Sequence, residues 1–300
     1  MVARGGAAGV AVGLTAVAAR RGEPALEPRT VMRPPVAMAW TTLRWKSNVI
    51  GKATTAEVLL PKVGEGPWPV LYLLHGLSDD ASTWMRHSRI EYYVKDLPLV
   101  VVMPDGYRGF YTDHAQGPAF GRHIGEELPA QIERHFNVKA SRAGRAIGGL
   151  SMGGYGALRI GLGYADRFCS VHSHSGALGW QDVKNRQGFR RTAAAIGRGD
   201  EFGDELWRIF GDNPQGTPHD LLASAVKAKR ARRLPRLLID CGTEDYLIAD
   251  NRAFHAALVG AGIKHEYREW PGAHDWDYWD THVRDALAWH AESLDIAAAG

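Results

Sequence analysis

The chain has 300 residues, 45% hydrophobic and 23% charged, with a formal net charge of +3 at pH 7. That is enough apolar material for one large domain with a substantial core, and too small a charge excess to argue for an acidic partner. The 2 cysteines cannot define a disulfide framework, and no apolar run reaches the roughly 18 residues that a membrane-crossing helix needs.

In chain order, residues 1–37 form a Gly/Ala/Arg-rich extension with no aromatic residue. Val10 to Ala19 is weakly apolar and Ala16-Val17-Ala18 resembles a small-residue cleavage site, but glycine dilutes the segment and arginines lie on both sides. A disordered or over-extended start is the expectation, with a cytoplasmic protein; an export signal is the alternative. Pro34-Pro35 marks the boundary, and the domain is expected over residues 38–296. A hairpin is predicted from Leu43 to Leu60, then a strand Val70 to Leu74, a helix around Ile90 to Lys95 and a strand Leu99 to Met103. A helix from Ile124 to Phe136 follows, then strands at Arg145 to Gly148 and Phe168 to Ser173. Such alternation predicts an α/β fold, a mostly parallel sheet with helices on both faces. Residues 178–233 interrupt it before the next strand, with helical pieces at Glu205 to Phe210 and Leu221 to Arg233. A cap over a site and ordinary solvent-facing packing are both open for this insertion. Leu237 to Cys241 then reads as a buried strand, Ala253 to Ala261 as a helix and Glu266 to Trp270 as a strand. A turn from Pro271 to Trp276 leads into the last helix. Cys169 and Cys241 each sit at an apolar strand end and read as buried free thiols.

Gly149-Leu150-Ser151-Met152-Gly153 carries the chemistry. A serine hydroxyl is a weak nucleophile until something exposes it and something else takes its proton. A sharp strand-to-helix turn does the first, pushing Oγ above the sheet, and the glycines permit the crowded backbone. The expected helix from Ser151 to Ile160 supplies the other half of that context. The base and its acid should follow in the order acid, then His. Glu244 and Asp245 lie just past the Leu237–Cys241 strand, and His274 lies past the Glu266–Trp270 strand, so both groups reach the sheet edge at which Ser151 opens. Asp240 lies inside its strand, Asp250 in the following helix, and Asp277 too soon after His274 to come round behind its ring. The strand Val70–Leu74 runs into His75-Gly76-Leu77. In this architecture that loop and the residue after the nucleophile each donate a backbone N–H to an oxyanion, which nominates Leu77 and Met152. His75 reads as a brace for the loop.

From Met38 to about Leu294 the chain resembles the esterase D-like esterases of the α/β-hydrolase superfamily. The resemblance rests on Leu74-His75-Gly76-Leu77-Ser78-Asp79-Asp80 with Trp84, on Met103-Pro104-Asp105-Gly106 and on Glu127-Leu128-Pro129. It continues through Gly149 to Ala157 and Pro271-Gly272-Ala273-His274. It implies Ser151 as nucleophile, His274 as base and, from a Gly-x-x-Asp pattern, Asp245 as the orienting acid. The implied activity is a serine carboxylesterase acting on short-chain acyl esters through an acyl-enzyme, similar to bacterial esterases of tributyrin-esterase type. An acyltransferase and an S-formylglutathione hydrolase-like thioesterase are the alternatives. The latter's elbow pattern has two histidines where Leu150 and Tyr155 stand here.

No cofactor is implied, and the expected partner is a small-molecule ester. The oligomeric state is unknown from the sequence. The basic run Lys227, Lys229, Arg230, Arg232, Arg233 and Arg236 reads as solvated helix surface, without the aromatic platform that nucleic-acid binding would use. Neither His274, Asp275, Asp277 and His282 nor Asp113, His114 and His123 has a zinc-ligand spacing, so no metal is expected. His172 and His174 point to one face of a strand, to line a pocket or pack in the core. Trp276, Tyr278 and Trp279 read as packing beside the catalytic loop.

Overall fold

A computed structural model describes residues 37–180 and 182–297; the expectations for the N-terminal extension fall almost wholly outside the described residues. The chain opens with the hairpin β1 (Ala39–Lys46) and β2 (Ala53–Leu60), then β3 (Val70–Leu74), the short helices α1 (Thr83–His87) and α2 (Ile90–Val94), and β4 (Val100–Pro104). Next come α3 (Phe120–Arg122), a π-turn at His123–Glu127, α4 (Leu128–His135), β5 (Arg145–Leu150), α5 (Met152–Gly163) and β6 (Ser170–His174). The insertion supplies α6 (Arg186–Ala195), α7 (Asp200–Phe210) and α8 (Leu221–Arg230). The chain continues as β7 (Arg236–Gly242), α9 (Ile248–Gly260), β8 (Glu266–Trp270) and α10 (Trp276–Leu294).

These strands make one 8-stranded sheet in the order β1-β2-β4-β3-β5-β6-β7-β8. β1/β2 and β2/β4 are antiparallel, and every later pair is parallel. β3 and β4 are buried along their whole length. An uninterrupted apolar run is what a strand covered on both faces requires. Period-two alternation divides such a run between two cores. Val70, Tyr72 and Leu74 join the cluster that includes Leu158, Ile160 and Phe168, whereas Leu71 and Leu73 join Trp84, Ile90, Val283 and Leu287 of α1, α2 and α10.

Three departures from expectation stand out, the first two with local causes. The helix predicted from Ile124 to Phe136 begins at Phe120 and widens into the π-turn, because Pro129 has no N–H for a normal helical bond and Glu127 is held from outside. Its carboxylate accepts bonds from the Ser47 hydroxyl at 2.5 Å and from Asn48 N–H at 3.0 Å, pinning the hairpin. The second departure is α6, a helix beyond the two pieces predicted for the insertion. It is capped by Asn185, whose side chain accepts from Gly188 N–H, and clamped to α7 by Arg186 and Arg190 on the Asp204 carboxylate. Third, α9 begins at Ile248, earlier than its predicted start at Ala253. Both cysteines are free; Cys241 is buried as expected, and Cys169 only partly. No helix among the described residues is long and apolar enough to cross a membrane.

Candidate active site

Parallel pairing brings the carboxyl ends of the central strands to one edge: Leu74 pairs with Gly149, Leu150 with His174, and Gly242 with Trp270. Ser151 is the residue after β5 and caps α5 with φ 53° and ψ −116°, a conformation strained for a residue with a Cβ. Its neighbours hold it there. Ser151 N–H donates to His174 O at 2.9 Å, and Ala177 N–H donates to Ser151 O at 3.0 Å. A Cβ on Gly153 would come within 2.5 Å of Leu74 O, so this position has to be glycine for α5 to start so close to β3.

His274 Nε2 lies 3.0 Å from Ser151 Oγ, and His274 Nδ1 lies 2.8 Å from Asp245 Oδ2. The other oxygen of Asp245 accepts Leu247 N–H at 2.8 Å. Burial pushes the Asp245 carboxyl up, but the His274 hydrogen bond and charge and the Leu247 N–H outweigh it and hold the group below its usual value. An anionic carboxylate facing Nδ1 orients the ring with Nε2 toward Oγ. The adjacent Glu244 turns elsewhere: it accepts Gly272 N–H and the Thr243 hydroxyl, tying the β7 loop to the loop that carries His274.

The residues singled out from sequence divide cleanly. Ser151, Asp245 and His274 come together. Leu77 and Met152 line the same cavity of about 200 Å³ as Ser151 and His274. Asp240 lies deep in β7, where it bonds His174 Nδ1 at 2.7 Å and the Tyr278 hydroxyl at 3.1 Å. His172 and His174 are thus core residues: His172 contacts His290 at 2.7 Å, and neither lines the cavity. His75 braces its loop as expected, bonding Gly76 O at 2.8 Å and accepting Gly106 N–H at 2.9 Å. Trp276 and Trp279 line the cavity, and Trp279 meets the His274 ring edge-on at 4.9 Å between centroids while donating to Ser175 Oγ. Tyr278 faces Asp240 instead. Among the described residues no group of His, Cys, Asp and Glu could hold a metal ion.

Sequence reasoning did not find the far wall. Trp180, Ile196, Arg198 and Phe202 reach the cavity from the insertion, joined by Phe110 and Tyr246. Of these only Tyr246 carried a signal, its place next to Asp245.

The family model described as "Putative esterase" matches residues 47–290. The acetyl esterase of Caldicellulosiruptor saccharolyticus is 30% identical over 86% of this chain and 100% of its own length. Among solved structures, the Staphylococcus aureus fluorophosphonate-binding serine hydrolase FphF superposes with a TM-score of 0.73 at 29% identity, covering 86% of this chain and 99% of that one. The S-formylglutathione hydrolase FrmB of the same organism gives 0.71 at 30% identity, covering 86% and 100%. The chain belongs to this esterase family and is a serine carboxylesterase of the α/β-hydrolase type.

Proposed function

We propose that Ser151 is the nucleophile, His274 its general base and Asp245 the group that orients the imidazole, and that the enzyme hydrolyses short-chain acyl esters, acetyl esters among them. The continuous Asp245–His274–Ser151 hydrogen-bond chain at the carboxyl edge of the sheet carries the reading. His274 takes the Ser151 proton as Oγ attacks the ester carbonyl, then delivers it to the departing alcohol. Charge that develops on the carbonyl oxygen is met by Leu77 and Met152 N–H, dipoles already fixed by the loop and by the start of α5. Water then repeats the sequence on the acyl-enzyme and releases the acid.

The small cavity supports a short acyl group: about 200 Å³ falls below the roughly 300–1,000 Å³ of sites that enclose drug-sized ligands. The acetyl esterase relative supports the same substrate class. Leu150 and Tyr155 stand where two histidines flank the serine in the formylglutathione pattern, which argues for simple esters over that thioester. The proposal includes a small-molecule ester as the partner, no nucleic acid or membrane, and action in the cytoplasm. Arg236 of the basic run is spent on Glu266 and Glu292, and Lys229 on the carbonyls of Ala261 and Gly262.

The test is Ser151→Ala on p-nitrophenyl acetate, with fluorophosphonate labelling alongside. The expected result is a loss in kcat of roughly 10⁴–10⁶ and no label, with an unchanged circular dichroism spectrum. Near-normal turnover by the folded variant would end the serine mechanism.

A further inference from the structure

A second cleft, of about 490 Å³, lies along the carboxyl-terminal half of α5, where α8 and the loop before it pack against that helix. Arg159, one of its lining residues, is only 6% exposed. Its Nε donates to Thr112 Oγ1 at 3.1 Å. Thr112 Oγ1 is itself 3.0 Å from His219 Nδ1, so the guanidinium is fixed on one side. The remaining N–H groups of Arg159 meet no acceptor among the described residues and face the cleft, lying along Gly163, where a Cβ would come within 2.5 Å of Nη1.

An arginine stays charged in a protein, and a largely buried charge without a counter-ion is costly. The surroundings add to that charge. Lys227 and Arg233 also line the cleft; Lys227 has no ion-pair partner among the described residues, and Arg233 reaches Asp166 only at 4.0 Å. Asp166 is the one carboxylate in the lining, which leaves an excess of two positive charges. Leu162 gives the cleft an apolar wall.

We propose that this cleft binds a small organic phosphate monoester. The dianion matches the charge excess, and two parallel N–H groups of a fixed guanidinium match two phosphate oxygens. The cleft's size and apolar wall leave room for the organic part. The site is separate from the one at Ser151: Arg159 lies eight positions after Ser151, about 12 Å along the helix.

Phenyl phosphate is the probe, titrated by calorimetry into the full chain at low ionic strength, with benzoate as the monoanionic control. The expected result is one saturable site that weakens as salt is added. Lys227→Ala combined with Arg233→Ala should weaken it roughly tenfold while p-nitrophenyl acetate turnover stays unchanged, and Arg159→Gln should remove it. The double variant is informative even if the buried change unfolds the chain, because its two side chains lie at the cleft's rim. No saturation in the wild type, equal affinity in the double variant, benzoate bound as tightly, or simple competition with the ester substrate would each overturn the proposal.

Discussion

At Ser151 the backbone is strained at φ 53° where the proposed chemistry needs the hydroxyl exposed. Such a conformation costs about 1–3 kcal/mol and persists only because the surroundings impose it. Ser151→Gly should therefore stabilise the fold by about 1 kcal/mol, after the roughly 0.5–1 kcal/mol that glycine loses in chain entropy, while abolishing turnover. In thermal unfolding this corresponds to a rise in Tm of about 2–4 °C; a lower Tm would show that the turn is not strained. The two neighbouring carboxylates make the second test. Asp245→Asn should keep KM but lower kcat roughly 10⁴-fold, because an amide favours the wrong imidazole tautomer. Glu244→Gln should cost less than about tenfold, since a glutamine oxygen still accepts Gly272 N–H. The reverse ranking, assayed at one pH, would move the orienting role to Glu244. Because Asp245 has a folded-state pKa below its unfolded value, its stabilisation is fully present above the ordinary carboxylate range and lost as pH falls through the lower folded value. Asp245→Asn should accordingly flatten the acid limb of the stability curve below about pH 4, read by urea unfolding at several pH values.

Among the elements, the insertion divides its work. The segment through α6 and α7 sends Ile196, Arg198 and Phe202 to the catalytic cavity, with Trp180 just before it, whereas α8 packs along α5 and walls the second cleft. Trp180 is buried, meeting the rings of Phe110 and Phe210, and it closes one wall of the cavity. Replacing it with alanine should lengthen the acyl group that fits. For Trp180→Ala, kcat/KM on the octanoyl ester relative to the acetyl ester is expected to rise roughly tenfold or more, within the gain that a few methylenes allow. An unchanged ratio across a p-nitrophenyl ester panel would locate the acyl chain elsewhere.

Across the whole molecule, the sheet separates the site from a buried polar network that could be mistaken for part of it. His174, Asp240 and Tyr278 connect β6, β7 and α10, and His172, His290 and Ser170 extend the line. Asp240 is 1% exposed and serves two partners, so its carboxylate ties the last helix to the sheet. Asp240→Ala should destabilise the protein by about 3–5 kcal/mol by leaving His174 and Tyr278 without their acceptor. The fraction that remains folded should turn over ester at near the wild-type rate. A large loss of kcat with unchanged denaturant stability would instead join Asp240 to the chemistry.

Most of the sheet and the three residues of the proposed triad were legible in the sequence, for a physical reason. Buried parallel strands are short apolar runs, and a strand-to-helix elbow needs glycines at set places, so Val70–Leu74, Leu237–Cys241 and Gly149–Gly153 declare themselves locally. Strand order then fixes which loops share an edge. The choice of Asp245 over Glu244 rested on the family resemblance and its Gly-x-x-Asp pattern; the residues alone do not show that the loop turns Asp245 toward Nδ1 and Glu244 toward Gly272 N–H. The cavity's far wall was equally hidden: Trp180 meets Phe110, and Phe202 reaches the cavity, only through the packing of an insertion whose own periodicity says nothing about the face it covers. Arg159 is the clearest case. In the sequence it is one arginine in an apolar helix, and only the packing of α8 on α5 shows a guanidinium buried at a cleft with one of its five N–H donors engaged.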